Sequence, residues 1–256
     1  MCLIVFAWRV HPRYPLVVAA NRDEFLVRPA QAAHWWPDRP GLLAGRDLEG
    51  GGTWLGLSRG GRFAALTNYR DPSRHKPGAP SRGLLVRDAL EAGTDAAATL
   101  EDLAARAAPY APFNLLVGDG DALGVLESIT GRVRMLEAGV YGLSNGVLDT
   151  PWPKLLAARE RLAATLRGGL DENALLALLR DDTPAADEHL PDTGVSPEWE
   201  RWLSPAFIRA PGYGTRCSTL VRFGRDGQVR LREWSWNERG EAAGEIVHDF
   251  RVEPRG

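Results

Sequence analysis

Lysine is almost missing from this chain. Of its 31 basic side chains only Lys76 and Lys154 are lysine. Arginine carries the remaining positive charge, which genomic codon bias explains more simply than functional arginine clusters. Cysteine is as scarce, with Cys2 and Cys217 alone. Two cysteines so far apart exclude a disulfide framework and a structural zinc site, and a reducing compartment is the default. The histidines His11, His34, His75, His189 and His248 are scattered without ligand spacing, so no metal site is expected. A net charge of −2 gives no reason to expect nucleic acid or an anionic membrane as partner. Long apolar runs are also lacking. The N-terminal run stops at His11-Pro12-Arg13, has no basic leader and is too short to span a bilayer. A cytoplasmic protein without stable membrane insertion is expected.

What is present begins at the second residue. Cys2 opens the apolar run Cys2-Leu3-Ile4-Val5-Phe6-Ala7-Trp8. Removal of Met1 leaves a thiol and a free α-amine on one residue, a nucleophile with its own base. Their ordinary pKa values, about 8.5 and about 7.7–8.0, are close enough for proton exchange near neutrality. The alternative is a small hydrophobe entering a strand.

Length and composition fit a single unit over 1–256, with 44% hydrophobic and 25% charged residues. Buried strands are expected at Cys2–Trp8 and Leu16–Ala20, the second ending in Asn21-Arg22-Asp23-Glu24. A loop rich in Pro, Trp and Gly is expected up to Gly52. Strands follow at Thr53–Ser58 and Arg62–Thr67, then a loop at Asp71–Ser81. Helical spacing marks Gly83–Ala92, Ala96–Ala107, Thr150 to about Arg167, and Glu172–Leu179. Asn114–Gly118 and Leu123–Ser128 form a hairpin, with strands at Arg132–Leu136 and Val140–Leu143. Asp181–Pro197 reads as a loop. Thr215–Phe223, Val229–Trp236 and Glu245–Val252 close the chain as strands. Strands at both ends with helices between fit an α+β fold of sheets covered by helices.

Four polar clusters end or open these strands. In a regular strand Asn21 and Asp23 share one face, Arg22 and Glu24 the other. One pair then faces a site while the other supports it. Thr67-Asn68-Tyr69 and Ser144-Asn145-Gly146 end two more strands, and Gly214-Thr215-Arg216-Cys217 opens another. Asn amides are able to hold an oxyanion. Arginine fixes a carboxylate or lowers a thiol pKa. Each cluster taken singly also reads as a turn. Trp35-Trp36 and Trp54 line an apolar pocket or belong to the core.

Several motifs together resemble a known family. Met1-Cys2-Leu3-Ile4, Asn21-Arg22-Asp23-Glu24-Phe25, Gly51-Gly52-Thr53-Trp54-Leu55-Gly56 and Ala65-Leu66-Thr67-Asn68-Tyr69 are similar to the NRDE-motif proteins. So are Tyr141-Gly142-Leu143-Ser144-Asn145, Leu148-Asp149-Thr150-Pro151-Trp152 and Pro211-Gly212-Tyr213-Gly214-Thr215-Arg216. The animal members are the transport and Golgi organization 2 proteins. The resemblance implies the N-terminal-nucleophile hydrolase fold, a four-layer α-β-β-α sandwich. It also implies an outline shared with bile-salt hydrolases and penicillin V acylases. On that likeness Cys2, Asp23, Asn68, Asn145 and Arg216 take the catalytic places, with Asn21, Arg22, Glu24 and Tyr69 in support. The acylases place a further arginine three residues before the aspartate, where this chain has Ala20.

Two functions follow as expectations. The first is hydrolysis of a small amide or thioester (acyl) substrate through Cys2, requiring no cofactor. The second is non-catalytic haem trafficking, or handling of acyl-CoA and other lipids, on the same scaffold, with haem as the ligand or cofactor.

Overall fold

A computed structural model describes residues 2–253. Two seven-stranded sheets lie face to face with helices on both outer surfaces. The second sheet is a meander in chain order: β3 (Ala30–Trp36), β4 (Arg39–Asp47), β5 (Leu55–Ser58), β6 (Phe63–Asn68), β7 (Phe113–Gly118), β8 (Leu123–Glu127) and β9 (Arg132–Met135). The first sheet is assembled from both ends of the chain. Its order is β10 (Gly139–Leu143), β1 (Cys2–Trp8), β2 (Leu16–Phe25), β12 (Tyr213–Phe223), β13 (Gln228–Trp236) and β14 (Ala242–Arg251). The short β11 (Arg209–Ala210) pairs with β12.

Strand alternation sorts the apolar residues into layers. Ile4, Phe6 and Trp8 of β1 and Leu16, Val18 and Ala20 of β2 face the second sheet, where they meet Leu55, Leu57, Phe63, Ala65 and Leu116. The opposite faces, Leu3, Val5, Ala7, Val17 and Ala19, bury against α3 (Pro153–Arg167) and α4 (Glu172–Leu179) through Leu155, Ala158, Leu162, Leu175 and Leu178. The outer face of the second sheet is covered by α1 (Gly83–Glu91) and α2 (Ala96–Ala105), with Leu85, Val86, Leu100 and Leu103 against Ala64, Leu66, Leu115 and Val117. The four-layer α-β-β-α order expected from the family likeness is therefore the order of this chain. Each fully buried Leu or Phe contributes about 1.5–3 kcal/mol. This explains why β1 and β2, covered on both faces, read as nearly unbroken apolar runs.

The stretch expected as a loop up to Gly52 is a correction, because it contains β3 and β4. The β3–β4 ladder shifts register twice, between Gln31 and His34 and between Trp35 and Trp36. Such bulges break the period-two pattern that identifies a strand. One further helix, α5 (Pro197–Trp202), starts where the acidic loop was expected to end, with Ser196 accepting from Trp199 N–H. Among the described residues no helix is long and apolar enough to cross a membrane.

Candidate active site

The sheet order sets the site, because β1, β2 and β12 are neighbours. Cys2 pairs with Arg22, Arg22 pairs with Cys217, and Asp23 pairs with Thr215. Cys2 is 6% exposed at the mouth of the sandwich. Burial pushes its thiol up to about 11, partly offset by the Arg22 charge and a hydrogen bond from the Asp23 backbone. A thiol so raised is protonated at neutral pH and needs an adjacent base.

The expected alternation in β2 holds. Asn21 and Asp23 point to the helix side. Arg22 shares the face of Ala20 and lies beside Cys2. Its guanidinium is 3.5 Å from Asp47 and 3.8 Å from Glu24. A cation is thus supplied two residues beyond Ala20 on the same face. Asn21 is fully buried; it donates to the carbonyls of Leu179 (2.7 Å) and Ala206 (2.8 Å) and accepts from Ser218 Oγ at 2.6 Å. Asp23 Oδ1 accepts from Thr215 Oγ1 at 2.7 Å, and the Tyr213 hydroxyl donates to the Asp23 carbonyl at 2.8 Å. Burial pushes the Asp23 carboxyl up. Lys154, the Thr215 hydrogen bond and Arg70 oppose that shift.

Asn68 and Asn145 come together from the two sheets. Asn145 Nδ2 donates to the Asn68 carbonyl at 2.8 Å, and Arg70 N–H donates to the Asn145 carbonyl at 2.8 Å. The neighbouring Ser144 Oγ donates to the Cys2 carbonyl at 3.1 Å. The ends of β6 and β10 are in this way tied to the start of β1. Arg216 is the extra residue of a β-bulge between Thr215 and Cys217. Its Nη1 donates to the carbonyls of Phe25 (3.0 Å), Leu26 (2.6 Å) and Arg28 (3.4 Å), which holds the turn after β2. Tyr69 is half-buried, with its N–H on the Pro112 carbonyl at 3.0 Å.

A cleft of about 1300 Å³ opens over this region. Cys2, Arg22, Asp23, Glu24, Asn68 and Arg216 line it; Asn21, Tyr69 and Asn145 stand behind it. Its apolar walls include Trp54, Leu66, Leu84, Trp199 and Leu203. Trp35 packs on the core between the sheets and Trp36 lies in the outer core, so of the three tryptophans singled out only Trp54 reaches the cleft. Gly52 explains part of the Gly-Gly-Thr-Trp motif. A Cβ there would lie 2.3 Å from the Gly83 carbonyl carbon, so only glycine lets this loop rest on the start of α1. That contact sets Arg82 on the cleft wall, where its charge acts on Cys2 and its Nη1 donates to the Pro112 carbonyl at 3.1 Å.

Sequence reasoning missed a buried ionic group on the helix side of β2. Arg70 Nη1 is 2.6 Å from Glu200 Oε2, with side chains 5% and 4% exposed. The Arg70 guanidinium also lies 4.8 Å from the Trp152 ring and 3.5 Å from Asn145 Oδ1. Lys154, 6% exposed, donates to the Leu203 carbonyl at 2.8 Å. Burial lowers its pKa to about 8, with Arg70 adding to the shift and Asp23 opposing it. One signal was available: Lys154 sits four and eight residues before Ala158 and Leu162, on the apolar stripe of its helix. Among the described residues no cluster of His, Cys, Asp and Glu is arranged to hold a metal ion.

The sequence model of the family described as Transport and Golgi organisation 2 matches residues 1–238. The Transport and Golgi organization protein 2 homolog of Bos taurus is 35% identical over 276 aligned residues, covering 99% of this chain and 100% of the relative. The Homo sapiens homolog is 35% identical, covering 92% and 93% of the two chains. The Drosophila melanogaster protein is 25% identical, covering 91% of each. Among solved structures, a Caenorhabditis elegans N-acylethanolamine-hydrolyzing acid amidase ortholog superposes with a TM-score of 0.49 at 11% identity, over 86% of this chain and 92% of its own. The C2A mutant of a conjugated bile acid hydrolase from Clostridium perfringens also gives 0.49, at 8% identity, over 99% and 97%.

Proposed function

The chain belongs to the Transport and Golgi organisation 2 family, and we propose that it hydrolyses an amide or thioester through Cys2. The reading is carried by one observation: Cys2 lines a large cleft together with Asp23 and Asn68, with Asn145 behind Asn68 and its Nδ2 on the Asn68 carbonyl. Loss of Met1 frees the Cys2 amine, which takes the thiol proton. The thiolate adds to the substrate carbonyl, and its oxygen becomes an oxyanion. The Asn68 amide, which lines the cleft, stabilises that oxyanion, while Asn145 holds the Asn68 backbone from behind; in comparable sites one donor is worth about 2.7–4 kcal/mol. Arg22, across the ladder from Cys2, supports the thiolate, and Asp23 anchors the amine. The C–N or C–S bond then breaks, and the leaving amine or thiol departs with the proton held by the ammonium. Water adds to the Cys2 thioester while the amine accepts its proton; the acyl C–S bond then breaks, the acid leaves, and the ammonium returns the proton to the sulfur. Arg216, engaged with three carbonyls, shapes the wall on which substrate rests.

The raised thiol pKa supports a base-dependent route, since burial alone leaves Cys2 protonated. The test is labelling by an electrophilic acyl probe, read by intact mass so that Met1 removal is scored in the same spectrum. One acyl group is expected on the Met1-free protein and on Cys217→Ser. Equal labelling of Cys2→Ser rejects the proposal. A second reading, a carrier of haem or an acyl group, draws on cleft size, since small-molecule pockets usually measure about 300–1,000 Å³. Spectral titration with haem checks it, and absence of a saturable shift in folded protein counts against it.

A further inference from the structure

The apolar run of β7 is interrupted by an amide. Asn114 is fully buried and obeys the alternation of its strand. Phe113, Leu115 and Val117 bury against α1 and α2, whereas Asn114 shares the face of Leu116, turned toward the first sheet. An amide in an apolar layer costs free energy unless its hydrogen bonds are made. Asn114 makes them through one atom. Its Nδ2 donates to Thr67 Oγ1 at 3.1 Å and to the Gly146 carbonyl at 2.7 Å. Its Oδ1 is buried and accepts no hydrogen bond from a described residue. What the amide contributes is thus its two donated hydrogens, since an apolar side chain of that size would bury no oxygen at all.

Both acceptors adjoin the asparagines of the site. Thr67 stands opposite Asn114 in the β6–β7 ladder and immediately precedes Asn68. Gly146 immediately follows Asn145, beyond the end of β10 in the first sheet. One NH₂ group therefore spans the two sheets. A second tie runs between the same segments, from Asn145 Nδ2 to the Asn68 carbonyl at 2.8 Å. Two ties prevent the turn at 144–146 from swinging about either one. That turn also grips the strand of the nucleophile, because Ser144 Oγ donates to the Cys2 carbonyl at 3.1 Å.

We propose that Asn114 is a positioning residue: its Nδ2 fixes the 144–146 turn of the first sheet against the end of β6, and so sets how Cys2 and Asn68 face each other across the cleft. The oxyanion role of Asn68 rests on the hydrolase reading above. The tie between the sheets does not.

Side-chain hydrogen exchange in the full-length protein tests the tie without any substrate. Nitrogen-15 labelling of asparagine reports on Asn21, Asn68, Asn114, Asn145, Asn173 and Asn237 alone. Asn114→Leu keeps the volume and removes both donated hydrogens. The Asn145 NH₂ is expected to exchange about tenfold faster in this variant, as a local opening becomes easier. Asn21, bonded to the Leu179 and Ala206 carbonyls on the helix side of the first sheet, should keep its parent rate. A merely structural amide lowers global stability and speeds both alike. Should Asn114→Leu not fold, Asn114→Asp is read in the same way, because it offers at most one hydrogen in place of two. An unchanged Asn145 rate, or equal acceleration of Asn21, overturns the proposal.

The same variant then meets two probes of Cys2, both in a Cys217→Ser background. Acylation passes through an oxyanion; alkylation by iodoacetamide does not. Acylation should slow by about 10- to 100-fold, the cost of a displaced donor, while alkylation stays near the parent rate. Acylation slowed no more than alkylation, in a parent that is acylated, overturns the proposal as well. A parent that resists acylation refutes the hydrolase reading, and the exchange rates alone then decide on the tie.

Discussion

Converting Glu200 to glutamine removes the charge that faces Arg70 while keeping the shape of the side chain. Both side chains are 4–5% exposed and their nearest atoms are 2.6 Å apart. The variant therefore takes from the buried Arg70 guanidinium the carboxylate that lies 2.6 Å away. Breaking a buried pair in this way costs about 3–5 kcal/mol, most of it the desolvation of the orphaned charge. Unfolding entropy of about 2.1 cal/mol/K per residue over 256 residues gives roughly 0.5 kcal/mol per degree. The melting temperature should then fall by about 6–9 °C. Circular dichroism melts at pH 7 measure this directly. Arg70→Met and the double variant Arg70→Met/Glu200→Gln complete a cycle, and the double variant should recover more than half of the loss. A drop below about 2 °C in Glu200→Gln, or strictly additive single effects, refutes the claim that the pair is desolvated and coupled. The same melts bear on the site, because Arg70 N–H holds the Asn145 carbonyl at 2.8 Å.

Three other outcomes are expected. Lys154 titrates at about 8 in the folded chain against 10.5 ordinarily, so the unfolded chain binds the proton more tightly between those values. The contribution of this group to stability is absent below about pH 8 and grows as pH rises toward 10.5, by about 3 kcal/mol in all. Urea unfolding at pH 7 and pH 10 should show Lys154→Met more stable than the parent by about 2–3 kcal/mol at pH 7, with the gap closing at pH 10; equal gaps at both would refute the assignment. Asn21→Ala takes the Asn21 donor from the Leu179 and Ala206 carbonyls and the acceptor from the Ser218 hydroxyl, which keeps its bond from Trp236 Nε1. It should cost about 3 kcal/mol in the same assay, and a loss under about 1 kcal/mol would mean these bonds contribute little. Gly52→Ala forces a methyl against the Gly83 carbonyl. A loss of about 1–3 kcal/mol is expected, together with a lower rate of Cys2 labelling as Arg82 shifts; a neutral effect on both would show that the loop yields freely.

The parts of the fold that were legible share one property: a face that repeats. β1 and β2 are buried on both sides, and their apolar runs say so. The helices announce themselves by spacing, as in Leu155, Ala158 and Leu162. β3 and β4 were illegible because register shifts and the punctuation of Pro40, Gly41 and Gly45 erase alternation. At the site, Arg22 and Asp23 were legible as opposite-facing neighbours, since strand geometry alone separates them. Arg70 and Glu200 were not, because they lie 130 residues apart and nothing local pairs them. Lys154 was legible in principle, as the charge on an apolar stripe, and it went unread because a lysine near a helix start looks like solvent-facing surface.

The middle strand of the Cys2 neighbourhood is also a partition. One of its sides looks into the hollow between the sheets, the other into the ionic group beneath the helices, and successive residues serve the two rooms in turn. Point exchanges in β2 therefore retune one compartment and leave its neighbour alone. Gain or loss of a single residue there does the opposite: it turns Asp23 into the hollow between the sheets and Arg22 toward the helices together. A substitution on that strand is felt on one face of the sheet, whereas a change in its length is felt on both.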